Sequence, residues 1–377
     1  MISKVLLAIG LAALMVVTAL SSFIYLGTQQ SRAAKPPEKP TQATPRAQPF
    51  TLPGTLFLVQ SGAIYSLSAG RFHQLTPEQG WTQPSLFPDG SKLLVVKRSF
   101  FYSDVWVLSR LGRPVSQLTH NIGPARNPDT GVKNWSFYPR LARDGKTVFM
   151  SYDEPKYGYE VDMSIWAMPL VGGIRQARVW TNSNPYTGGD MQPVPLPSGG
   201  ILYTKYGFGS DQKLGQWVWL TTRAGALGKA LTRESDSCAQ PALSPNGRQV
   251  AMICTYGKQL SRLVIASFNG SSLGTLKTVI SDQMVAQPVW APDGSGIAYL
   301  APAEAAGPFQ LWFLPSRAYT PPAPSPSPKP TPTPGGPYSG ELPSPSPGAT
   351  PPAVVVNPIK VTTNLGFDAT SPIAWAP

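Results

Sequence analysis

The feature that most constrains this chain is a recurring unit of strand, tight turn and strand. Its clearest copy is Gln287-Pro288-Val289-Trp290-Ala291-Pro292-Asp293-Gly294, followed by an apolar run from Ile297 to Leu300. Proline fixes φ, aspartate bonds its own backbone and glycine tolerates positive φ, so Pro-Asp-Gly marks a turn. Related copies begin at Gln83-Pro84, Tyr138-Pro139, Gln192-Pro193 and Gln240-Pro241. A sixth, Ser371-Pro372-Ile373-Ala374-Trp375, lacks the turn. The leading prolines are 55, 54, 48, 47 and 84 residues apart, and taking out the proline-rich tract at 317–352 brings the last interval to 48. A period near 40–50 residues with four short strands per unit predicts a propeller.

The rest of each unit agrees. Asp104 to Leu108, Trp217 to Leu220 and Leu263 to Ala266 read as third strands, and the segments ending in Leu118-Thr119 and Leu231-Thr232 as fourth strands. The sixth copy offers an inner strand, while 55–60, 63–67 and 72–75 offer three strands without one. Together they predict a sixth blade made from both termini, a closure that removes exposed strand edges. The expected fold class is therefore all-β, a six-bladed β-propeller over 54–377 with a proline-rich insertion at 317–352 that cannot bury enough apolar surface to fold.

The Gln-Pro-x-x-Ser/Ala-Pro-Asp/Asn-Gly pattern resembles the repeats of TolB-like propellers, over most of 54–377 outside the insertion. The resemblance implies a propeller that serves protein interaction.

Ahead of the propeller, no residue between Lys4 and Arg32 is charged, and Val5 to Leu26 is mostly apolar. At about 1.5 Å rise per residue this run spans a bilayer, and it exceeds the usual h-region of a cleaved signal peptide. Residues 1–32 are therefore expected to be a transmembrane signal anchor, the alternative being a leader cleaved near Ala33-Ala34. Residues 33–53 read as a proline-rich, semi-rigid linker. Lys4 favours a cytoplasmic N-terminus, while Arg32 and Lys35 oppose it.

The cysteines favour an extracytoplasmic propeller. Cys238 and Cys254 lie eight residues either side of Asn246, in the turn of the fourth copy. A hairpin centred there places them opposite each other, as a disulfide in an oxidising compartment or as two buried thiols.

Catalytic signatures are missing from the sequence. The two histidines, His73 and His120, have no metal-ligand spacing, and no Gly-x-Ser-x-Gly elbow or phosphate loop occurs. The expectation is a non-catalytic protein with no cofactor and no metal; a lyase or lactonase of propeller type is the less favoured reading. Each loop leading into an inner strand carries an acid: Glu78, Asp129, Asp190, Asp236, Asp282 and Asp368. Trp81, Trp135, Tyr186 and Phe367 accompany them. Read sharply, these form a binding mouth at one end of the channel; read plainly, aspartate is a common turn residue. The chain has a net charge of +12, of which residues 51–377 carry +8, and a basic domain outside the cytoplasm suits anionic lipid or wall polymer rather than nucleic acid. The expected partner is an envelope protein or a cell-wall polymer, bound by a monomer held at the membrane.

Overall fold

The computed structural model describes residues 51–122, 133–154, 162–256, 260–319 and 357–377. Six four-stranded antiparallel sheets make up these residues. Each is a blade, with inner strands Trp81–Leu86, Ser136–Leu141, Asp190–Pro195, Cys238–Leu243, Ala286–Trp290 and Ala374–Ala376 in blades 1 to 6. In blade 6 the inner strand pairs with Thr55–Gln60, and Ala376 lies opposite Thr55, so the two ends of the propeller close one blade as expected. Gly54 makes that approach possible. Its φ is 70°, and a Cβ there would stand 2.1 Å from the carbonyl oxygen of Ala376.

The core is distributed over the seams between blades. Successive strand residues point to opposite faces, so one strand feeds two seams. In Lys92–Arg98, Leu93 and Val95 pack against Phe57 and Ile64 of blade 6, whereas Leu94 packs with Val148 and Met150 of blade 2. Strands buried on both faces read as continuous apolar runs. Threonine supplies a second repeated device. The hydroxyls of Thr76, Thr119, Thr181, Thr232 and Thr362 accept backbone N–H bonds of 2.9–3.1 Å from the third strands of five blades.

Cys238 and Cys254 are opposite each other and joined by a disulfide. One boundary needs correction. The segment 317–319 belongs to the fold rather than to the insertion: Ser316–Ala318 is a 3-10 turn, and the Tyr319 ring packs edge-on against Trp290 at 6.0 Å. The remainder of the proline-rich tract, the expected anchor at 1–32 and the linker up to residue 50 lie outside the described residues. Among the described residues, no helix is long and apolar enough to cross a membrane.

Candidate functional site

The Gln-Pro pairs do more than open strands. In blades 1, 3, 4 and 5 these pairs, and in blade 2 Tyr138-Pro139, form a bulge, where two inner-strand residues face one on the second strand. Gln83, Tyr138, Gln192, Gln240 and Gln287 all sit at φ between 52° and 58°. The following proline disfavours right-handed helical backbone at these residues, and a bulge re-aims the strand. Proline is tolerated here because the inner strand is an edge and needs no further N–H donor.

The bulges link the blades around the channel. Gln83 Oε1 accepts from Tyr138 N at 2.7 Å, Gln192 Oε1 from Gln240 N at 3.2 Å, and Gln240 Oε1 from Gln287 N at 2.7 Å. Ser371 Oγ accepts from Gln83 N at 2.9 Å, and Gln287 Nε2 donates to the Ala369 carbonyl at 3.0 Å, which joins blade 6 to both neighbours. Blade 2 has Tyr138 instead of glutamine. Its phenol reaches the Thr370 carbonyl at 3.4 Å, and burial, with Tyr206 and Asp368 nearby, pushes it up to about 12.

This belt divides two ends. At the loop end lie the connections into inner strands and those between second and third strands. At the hairpin end lie the Pro-Asp-Gly turns. The anticipated mouth residues belong to the loop end, but they do not form a uniform ring. Asp190 is buried and accepts from Lys205 Nζ at 3.1 Å; burial raises its carboxyl to about 6, against the pull of Lys205 and Thr181. Asp236 is buried too, held by Arg233 Nε at 3.1 Å and Nη2 at 3.0 Å. Asp368 accepts from the Thr370 amide and hydroxyl in a local turn. Glu78 and Asp282 are exposed, and Asp129 lies outside the described residues.

The aromatics are likewise divided. Trp81 is buried inside the inner strand of blade 1, edge-on to Trp106 with Lys97 over its face, so it presents no ring to a ligand. Phe367 is buried against Phe72. Trp135 is half-buried, stacked on Phe137 and covered by Arg98 at 5.6 Å. Tyr186 is 71% exposed on a loop whose amides at Tyr186, Thr187 and Gly188 converge on the Asp162 carboxylate.

Sequence reasoning missed the apolar character of this end. Phe100, Phe101, Ile122, Phe208, Leu214 and Leu260 join Tyr186 and Met284 as large exposed hydrophobics on loop-end connections or the strand tips beside them. Phe100 is 85% exposed, its ring 4.5 Å from that of Phe101, over which Lys133 sits at 4.5 Å. The adjacent pair Phe100-Phe101 between two strands was the available signal. Among the described residues, no group of three or more potential metal ligands occurs.

A cavity of about 300 Å³ lies in the channel itself. Its walls come from the glutamine belt and the residues after it, ending at Pro245 and Pro292 of the hairpin turns. It therefore occupies the hairpin half of the channel, away from the anticipated acidic mouth.

Neither a protein-family model nor a curated protein matches the sequence. Among solved structures the chain is similar to TolB from Acinetobacter baumannii, with 15% identity and a TM-score of 0.55. That overlay covers 71% of this chain and 62% of the other, so this chain spans less than two thirds of that TolB's length. It is also similar to a putative TolB from Agrobacterium tumefaciens, with 15% identity, coverage of 70% and 84%, and a TM-score of 0.47. A gluconolactonase from Xanthomonas campestris overlays with 11% identity, coverage of 72% and 86%, and a TM-score of 0.46. Identities this low speak to fold alone, and the fold is that of a TolB-like six-bladed propeller.

Proposed function

We propose that this protein is a non-catalytic docking platform whose loop end binds a protein of the cell envelope. One observation carries the reading: large apolar and aromatic side chains stand exposed on the loop end of a rigid propeller. Exposed apolar surface is costly to keep in water, and a patch of it on a folded domain marks an interaction site. Loops positioned by a rigid scaffold are where such sites usually lie. Lys133 and Arg98 beside Phe101 and Trp135 add the polar rim that protein interfaces carry.

In this proposal the propeller stands outside the cytoplasm, held to the membrane by residues 1–32 and spaced from it by 33–53. The Cys238–Cys254 disulfide supports an oxidising compartment. A wall-glycan reading draws support from Tyr186, whose exposed ring offers a face for sugar stacking.

Retention of envelope proteins and of isolated wall polymer on the immobilised chain tests the proposal. Capture of a discrete protein, lost in a Phe100→Ser/Phe101→Ser variant, is expected. Capture of wall polymer alone, lost in Tyr186→Ala, would replace the protein reading with the glycan one.

A further inference from the structure

The channel cavity at the hairpin end holds a cation without a counter-ion. Arg140 follows the bulge of blade 2, and its side chain lines the cavity together with Gln192, Gln240 and Gln287. Among the described residues, no aspartate or glutamate lines that cavity. Arg140 is half-buried, and among the described residues it makes no hydrogen bond and no ion pair, whereas the buried acids described above are matched. Asp190 has Lys205, and Asp236 has Arg233. Burial alone pulls the Arg140 guanidinium down to about 10.

A half-buried guanidinium that faces a cavity with no acid beside it is open to an anionic ligand. From these observations we propose that the hairpin half of the channel is a binding site for a small monocarboxylate, with Arg140 as its anion-binding residue.

Several features set the chemical class. A guanidinium presents parallel N–H donors that match a carboxylate in a two-pronged bond. Among the described residues the cavity has a single cation, which suits one negative charge better than the two of a phosphate. Its remaining walls include Val194, Val289, Ile373 and Trp375, so the body of the ligand meets apolar surface. A volume of about 300 Å³ lies at the lower end of small-molecule sites.

The approach is also cationic. Arg143, exposed on the blade 2 turn, donates to the Pro245 carbonyl at the cavity edge at 3.2 Å. The acids of the neighbouring turns are engaged locally. Asp89 accepts from Ser91, Asp144 from Lys146 and Thr147, and Asp293 from Ser295. The carboxylate bound there is either a free organic acid or the C-terminus of a peptide, and both present the same group to Arg140.

Thermal unfolding and calorimetric titration of the full-length chain test this site. The probes are benzoate, inorganic phosphate, and a tripeptide with a free or an amidated C-terminus. Benzoate, the free-acid tripeptide or both should raise Tm by about 2 °C or more at saturation. Inorganic phosphate and the amidated peptide should have no effect. Response to benzoate alone identifies a free acid as the source, and response to the tripeptide alone identifies a peptide terminus.

Arg140→Gln should abolish the shift while leaving the ligand-free Tm equal to or above that of the unaltered chain, since the charge it removes has no partner within the described residues. Arg140→Met provides the same test without a polar head. Any of these results would overturn the proposal: no carboxylate shift in the unaltered chain, an equal shift in Arg140→Gln, or a preference for phosphate. A ligand-free Tm several degrees lower in both variants would show that Arg140 is satisfied within the protein, and would count equally against it.

Discussion

The backbone N–H of Gln287 donates to the side-chain oxygen of Gln240 at 2.7 Å, across the seam between blades 4 and 5. Gln240 thus serves two purposes: its positive φ forms the bulge of its own blade, and its amide accepts from the bulge of the next. Left-handed backbone costs a non-glycine residue on the order of 1–2 kcal/mol, and the interblade bond offsets part of that.

Replacing Gln240 with alanine leaves the N–H of the buried residue Gln287 without its acceptor. A loss of about 1–3 kcal/mol is expected, read as a lower midpoint in denaturant unfolding with an unchanged m-value. Ser371→Ala, which removes the acceptor for Gln83, should lose a comparable amount. No loss in either variant would mean that the belt contributes nothing to the closed ring.

Closure at blade 6 depends on Gly54. Its positive φ, and the 2.1 Å that would separate a Cβ from the Ala376 carbonyl oxygen, leave no room for a side chain. Gly54→Ala should cost at least about 1 kcal/mol and should speed proteolysis of the segment from residue 51 to the first strand. Proteolysis at the original rate would show that the last strand tolerates displacement.

The disulfide spans a sequence separation of 16. By the chain-entropy argument, reducing it lowers stability by about 3 kcal/mol. Thermal unfolding with and without reductant checks this, and Cys238→Ser/Cys254→Ser should match the reduced form.

Asp190 makes stability depend on pH. Its folded carboxyl titrates at about 6, against about 3.9 when unfolded. Between those values the folded state binds the extra proton, so this group's contribution favours folding at low pH and declines as pH rises from about 4 to about 6. Above that range the contribution is flat. Denaturant unfolding at pH 4.5 and 7 should show this decline in the unaltered chain and a smaller one in Asp190→Asn, whatever the absolute stability of the variant.

Much of the fold was legible because its signals are local. Continuous apolar runs, Pro-Asp-Gly turns and a repeating interval place the strands, and the two half-blades at the termini complement one another. The disulfide was legible partly by compensation. Leu243 pairs with Val250, so the hairpin is centred half a residue past Asn246, and the Gln240-Pro241 bulge restores the register that brings Cys238 opposite Cys254. What the glutamines do was not legible, because their acceptors serve residues about 47–55 positions away. The acids misled for a related reason. Asp190 and Asp236 differ from Glu78 and Asp282 only in their three-dimensional partners, although Arg233, three residues before Asp236, was visible in the sequence. The repeat pattern places Trp81 in a loop, yet it begins the inner strand, and that difference puts its ring in the core.

The most direct measurement of the docking proposal is oxidative footprinting of the full-length chain with and without an envelope-protein extract. Protection of Phe100, Phe101, Tyr186 and Met284 is expected, with Leu111, Val171 and Leu227 on the hairpin-end turns labelled equally in both samples. Protection confined to those hairpin-end residues, or equal labelling throughout, would contradict docking through the loop end.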